Sequence, residues 1–185
     1  MVDSIGDGLD RALEAAFTRR PPQSAQAQMK YLVKQLKGTR AVAQLLGISQ
    51  RTVERYVTGQ LKRPRRELRD RMEREVKKRW QPQVRARARR RAATTDGLVV
   101  STRARFGFTA APGTTDDARI RDILQALPPE FAAQLFTARE QGATESQLQQ
   151  IAADGLAQMY FRANNTRAHG LGVEFTDIEQ IEIQL

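Results

Sequence analysis

Apolar residues in the first eighty positions recur at helical spacing, in short runs separated by turn residues. Ile5, Leu9, Leu13, Ala16 and Phe17 share one face of a predicted helix, with Asp3, Asp7 and Asp10 near its start and Arg19 and Arg20 at its end, as the helix dipole favours. Pro21 and Pro22 stop it. From the capping residue Ser24, a second stripe of Met29, Leu32, Val33 and Leu36 runs to Gly38. Either stripe could cover a partner or a membrane surface, but burial in the domain's own core is the simpler reading. Leu68, Met72, Val76 and Trp80 then recur every four residues, with acids interleaved among arginines as in an ordered helix with a solvated face.

Between the second and third stripes lies "GTRAVAQLLGISQRTVERYV", Gly38 to Val57. Thr39 is placed to cap a short helix carrying Val42, Ala43 and Leu46. Gly47 supplies a turn, and Ser49 caps a second helix that turns Val53, Tyr56 and Val57 inward. A helix-turn-helix needs a small residue where its helices approach, one tolerant of positive φ four places later, and an apolar residue six beyond. Ala43, Gly47 and Val53 meet these needs in register. On this reading Gln50, Arg51, Thr52, Glu54, Arg55 and Thr58 lie on or beside the outward face of the second helix, in reach of bases and phosphates. Thr39, Arg40 and Gln44 are placed to hold the DNA backbone.

The pattern changes at Thr94 to Gly97. "GLVVSTRARFGFTA" is rich in β-formers and predicts one long strand or a hairpin, whereas "APGTTDDARIRDILQAL" predicts a loop followed by a helix. "PPEFAAQLFTAREQG" opens a further helix on proline. The next starts at Thr144 and carries Leu148, Ile151, Leu156 and Tyr160. Alternation at Val173, Phe175, Ile181, Ile183 and Leu185 ends the chain in one or two strands. The expected architecture is a mainly α N-terminal helix-turn-helix domain followed by a smaller α+β domain with an antiparallel sheet. Its parts are a helical DNA-binding domain over 1–61 with the helix-turn-helix at 39–58, a basic helix and arm over 62–94, and an α+β domain over 95–185.

Charge supports that division. The chain carries a formal +10, with 24 basic and 9 acidic groups in residues 1–94 but 7 and 12 in residues 95–185. The first half therefore expects an anionic partner and the second a different one. Residues 62–91 alone hold 15 basic and 4 acidic groups. Lys62, Arg63, Arg65 and Arg66 precede or open the predicted helix. After Pro82, Arg85, Arg87, Arg89, Arg90 and Arg91 lose the apolar stripe and the acids, and read as an extended or inducible arm lying along phosphates.

The chain has no cysteine, which excludes disulfides, thiolate metal sites and cysteine nucleophiles and makes the cytoplasm the expected compartment. Neither a secretory leader nor a membrane-spanning run is expected. There is no glycine-rich phosphate loop, and the single histidine, His169, lies in a polar loop as an ordinary surface residue. Asp116 and Asp117 follow Thr114 and Thr115; by residue chemistry alone they serve a helix N-terminus. A self-contained enzyme is not expected.

"SIGDGLDRALEAAFTRR", "QMKYLVKQLKGTRAVAQLLGISQRTVERYV", "EREVKKRWQPQVRARAR", "GTTDD" and "FTDIE" together resemble the telomere-capping terminal proteins of linear streptomycete chromosomes and plasmids, over nearly the full length. The resemblance implies a protein primer. Such a protein stays covalently attached to the 5′ end of each strand and supplies the hydroxyl from which a polymerase fills the recessed telomere. Implied partners are telomeric DNA, both duplex and single-stranded overhang, a telomere-associated protein and a DNA polymerase, but no membrane; the implied place is the nucleoid, at DNA ends. No cofactor of its own is implied, since the divalent metal belongs to the polymerase site.

Given that a hydroxyl is used, Thr114 is the first choice and Thr115 the second. Pro112 and Gly113 place the pair on a turn, and Thr115, directly before the acids, is the better helix cap, which leaves Thr114 free. Asp116 and Asp117 are candidates to assist by position. A site-specific helix-turn-helix regulator or plasmid-maintenance protein is the alternative, and would leave this loop idle. A nucleotidyltransferase holding metal on Asp116 and Asp117 lacks the further acids and the phosphate loop it would need.

Overall fold

The computed structural model describes residues 4–109, 120–161 and 172–185. The chain forms two compact units, one from Phe17–Pro82 and one that joins Met1–Ala16 to Gln83–Leu185.

The helical unit contains α2 (Ala25–Leu36), α3 (Thr39–Leu46), α4 (Gln50–Val57) and α5 (Arg66–Arg79). Its core is drawn from the predicted stripes: Met29, Leu32, Val42, Ala43, Leu46, Val53, Tyr56, Met72 and Val76 are buried together, with Val33, Leu36, Val57 and Leu68 partly buried against them. Ser24 caps α2 by accepting from the Ala27 amide, and the helix ends on Lys37, whose φ of 57° makes it, and not Gly38, the left-handed residue. At the far end of α5, the Tyr31 hydroxyl donates to the Arg79 carbonyl at 2.6 Å and the Trp80 indole N–H donates to the Arg19 carbonyl at 2.9 Å. Trp80 packs edge-on to Tyr31, with ring centroids 5.0 Å apart. These bonds pin the last turn of α5 to the start of the unit.

In the other unit, α1 (Ile5–Ala15) and α6 (Pro82–Arg91, whose first residue falls in the helical unit) accompany β1 (Leu98–Thr109), β2 (Ile120–Leu127), α7 (Pro129–Glu140), α8 (Glu145–Leu156) and β3 (Gly172–Gln184). The sheet is antiparallel in the order β2-β1-β3. Alternate residues of β1, from Leu98 through Val100, Thr102 and Ala104 to Phe106, are buried. They are paired across the sheet with Ile123 and Leu127 on β2 and with Ile178, Ile181 and Ile183 on β3, and α1 and α8 pack against these strands. Glu145, at the start of α8, accepts from the Ile5 and Gly6 amides at 2.5 and 3.2 Å, so the first turn of α1 is satisfied by a side chain 140 residues away. Gly97 enters β1 at φ 71°, where an added Cβ would stand 2.1 Å from the Leu127 carbonyl oxygen. Only glycine fits that approach.

Three expectations change. Residues 120–127 form a strand and not a helix. Ile120, Ile123, Leu124 and Leu127 have helical spacing, but pairing along β1 overrides it, burying Ile123 and Leu127 and leaving Leu124 74% exposed on the other face. Residues 82–91 form a helix and not an extended arm; alanine and arginine favour the helix interior and Pro82 its first position. The boundaries at 61/62 and 94/95 do not coincide with the units, because α1 and most of α6 belong with the sheet. The α+β unit is thus larger than residues 95–185, and the charge divides as +13 for residues 17–82 and −3 for the rest.

Candidate nucleic-acid interface

The turn between α3 and α4 is built from local rules. Gly47 adopts φ 62° and ψ 39°, and its N–H donates to the Ala43 and Gln44 carbonyls; the Ile48 N–H also donates to the Ala43 carbonyl, at 3.0 Å. Ser49 caps α4, its Oγ accepting from the Thr52 amide at 3.2 Å. Val42, Ala43, Leu46, Val53 and Tyr56 close the angle between the helices from inside. One detail differs from expectation: Gly38 is the cap residue of α3 and Thr39 its first helical residue, with no side-chain cap. The Thr39 Oγ1 instead accepts from Gln50 Nε2 at 3.0 Å.

Gln50, Arg51, Glu54, Arg55 and Thr58 are exposed along the outward face of α4 and its end, as the spacing predicts. Arg51 and Arg55 stand one turn apart and have no carboxylate partner among the described residues, so their charge is available. Gln50 also donates to Glu54 Oε1 at 3.0 Å, and two further candidates have structural bonds. Thr52 is half-buried with Oγ1 2.8 Å from Ser49 Oγ, and the Thr58 hydroxyl donates back to the Glu54 carbonyl at 3.0 Å. Tyr56, beneath this face, holds its phenol proton above the usual range because burial disfavours the phenolate, with Arg55 pulling the other way.

Arg40, Gln44, Lys62, Arg63 and Arg65 are exposed on the same unit, and Arg66 lies 3.9 Å from Asp70. Along α5, Lys77 pairs with Glu73 at 3.4 Å and Arg79 with Glu75, so part of its basic charge is compensated within the helix. Arg71 approaches the turn, its Nη1 3.2 Å from where a Cβ on Gly47 would stand.

The five arginines of α6 separate into two sets. Arg85 pairs with Asp10 at 3.4 Å, Arg89 with Glu140 and Arg91 with Asp96, all inside the α+β unit. Arg87 and Arg90 are exposed with no carboxylate partner among the described residues. Spacing could not have found the Arg85 and Arg89 pairs, since Asp10 is 75 residues from Arg85 and Glu140 lies on α7. The face of α6 set by 85 and 89 is a structural seam, which leaves 87 and 90 as its phosphate candidates.

Thr114, Thr115, Asp116, Asp117 and His169 lie outside the described residues. The described chain leaves the sheet at Thr109 and re-enters at Ile120 on the antiparallel neighbour, so both ends of that stretch belong to the α+β unit. Among the described residues no three His, Asp or Glu side chains converge as metal ligands, and no helix is long and apolar enough to cross a membrane. Comparison with protein-family models, with curated proteins and with solved structures gives no match.

Proposed function

We propose that this chain is a DNA-binding terminal protein that holds linear DNA ends through the helical unit and primes their end filling from a hydroxyl of the α+β unit. The observation that carries the DNA reading is the exposed, uncompensated pair Arg51 and Arg55 on a helix-turn-helix whose turn is closed at Gly47 and whose second helix is capped by Ser49. Arg40, Lys62, Arg63 and Arg65 extend the positive surface of the same unit. The priming role rests on the resemblance of the sequence segments to streptomycete terminal proteins and on the separation of charge between the units.

In the priming step the Thr114 oxygen forms a bond to the α-phosphate of a deoxynucleoside triphosphate, pyrophosphate leaves, and the hydroxyl proton passes to solvent. Divalent metal at the polymerase site activates this weak nucleophile. Asp116 and Asp117 assist by position, and Thr115 is the second choice of acceptor. A telomere-associated protein and the polymerase are the protein partners.

The test is to isolate DNA ends from the source cell without protease and to boil them in detergent. The proposal expects this polypeptide to remain on the DNA. Complete release would leave the helical unit as the reader of a site-specific regulator, which the same helix-turn-helix geometry equally supports.

A further inference from the structure

Gln50 and Glu54 form a brace on the outward face of α4 whose hydrogen-bonding capacity can be counted. The Gln50 amide nitrogen carries two N–H groups. One donates to Thr39 Oγ1 at 3.0 Å and the other to Glu54 Oε1 at 3.0 Å. A carboxylate only accepts, so the nitrogen and not the oxygen of the amide must face Glu54. Both donors of Gln50 are thereby used inside the protein. The brace presents outward only acceptors: the Gln50 Oε1 and the second oxygen of Glu54.

We infer that this brace makes the helix-turn-helix select cytosine at the base facing the first turn of α4, an inference that rests on the DNA-reading proposal above. In the major groove, guanine offers two acceptors and thymine one, and these would oppose the acceptors of the brace. Adenine offers an amine beside the acceptor N7. The usual bidentate glutamine–adenine contact requires a donor toward N7, which Gln50 has already spent on Thr39 and Glu54. On its own edge cytosine offers the N4 amine beside a C–H, and it alone of the four bases carries a donor and no acceptor there, which matches an acceptor-only surface. The flanking Arg51 and Arg55 supply affinity at neighbouring phosphates or guanines, while Gln50 and Glu54 set the choice at one position. The Thr39 hydroxyl, with a lone pair occupied by Gln50, keeps its proton free to donate to a phosphate.

The experiment selects duplexes from a randomised pool with the full chain, then measures binding of the selected duplex and its single-base variants. The wild type is expected to require a C·G pair at one position, with a roughly tenfold loss for each other base there. Glu54→Ala releases one Gln50 N–H, and the preferred base at that position is expected to change from cytosine to adenine. Glu54→Gln turns a donor outward and is expected to admit guanine or thymine. Thermal melting shows that each variant is folded; Glu54 is exposed, and the melting temperature is expected to stay at the wild-type level. A wild type that binds duplexes selectively, with a base preference unchanged in both variants, overturns the brace and leaves the DNA reading intact. A wild type that binds no duplex overturns the DNA reading and the brace with it.

Discussion

Arg85 on α6 pairs with Asp10 on α1 at 3.4 Å, joining the first helix of the chain to the arginine-rich segment 75 residues later. The pair explains why an arginine run that reads as a phosphate-binding arm is partly structural. Arg85, Arg89 and Arg91 are expected to contribute to folding and Arg87 and Arg90 to DNA. Replacing Arg87 and Arg90 with Ala should flatten the dependence of log affinity on log salt by about 0.9 for each phosphate that the chain then fails to neutralise. Arg85→Ala should leave that slope unchanged and cost about 1 kcal/mol or less of stability, since the pair is only partly buried. Salt titrations of duplex binding and thermal melts of the same variants check both statements.

On α4, Arg55→Ala should weaken binding. If this arginine reads a base, discrimination at one position should fall by about 1–3 kcal/mol. Binding isotherms on a set of single-base variants measure this directly. Equal affinity of wild type and variant for every duplex would remove Arg55 from the reading face.

Two glycines are expected to differ in what they tolerate. Gly47 sits at φ 62°, so Gly47→Ala should cost about 1–2 kcal/mol for the left-handed backbone, with Arg71 required to give way slightly. Gly97 combines φ 71° and ψ −151° with a carbonyl oxygen 2.1 Å from an added Cβ, so Gly97→Ala should cost about 3 kcal/mol or more. Denaturant unfolding of the two variants gives the comparison.

Alkaline pH should destabilise the helical unit. Tyr31 and Tyr56 both hold their protons above the ordinary range, chiefly through burial, with Arg79 and Arg55 acting in the opposite direction. A pKa raised in the folded state means that stability is fully present below the unfolded value, about pH 10, and is lost as pH rises through the folded values. Tyr31 also gives up its bond to the Arg79 carbonyl on ionising. Tyr31→Phe should lower stability near neutral pH by about 1 kcal/mol and reduce the alkaline loss. Melting temperatures measured from neutral to strongly alkaline pH, with tyrosinate absorbance, check the sign.

The helical unit was largely legible because its rules are local: Ser24, Ser49 and Gly47 act within a few residues, and the stripes through Met29, Val42, Val53 and Met72 supply its core. The α+β unit was less so, because its decisive pairings span the chain. Ile120–Leu127 has a helical pattern that only its pairing partner β1 reverses, and α1 belongs with α8 through Glu145, which nothing near Ile5 announces. At the candidate interface, spacing identified the exposed face of α4, but the commitment of both Gln50 donors and the pairing of Arg85 and Arg89 needed coordinates.

The central claim is that a hydroxyl of this chain carries the first nucleotide, and mass spectrometry of nuclease-digested, protease-fragmented DNA ends tests it most directly. The account predicts a deoxynucleoside monophosphate ester on the peptide containing Thr114, at Thr114 itself, and no adduct from a Thr114→Ala chain. A chain recovered from DNA ends with every peptide unmodified would contradict it; an adduct on another hydroxyl would overturn the assignment to Thr114.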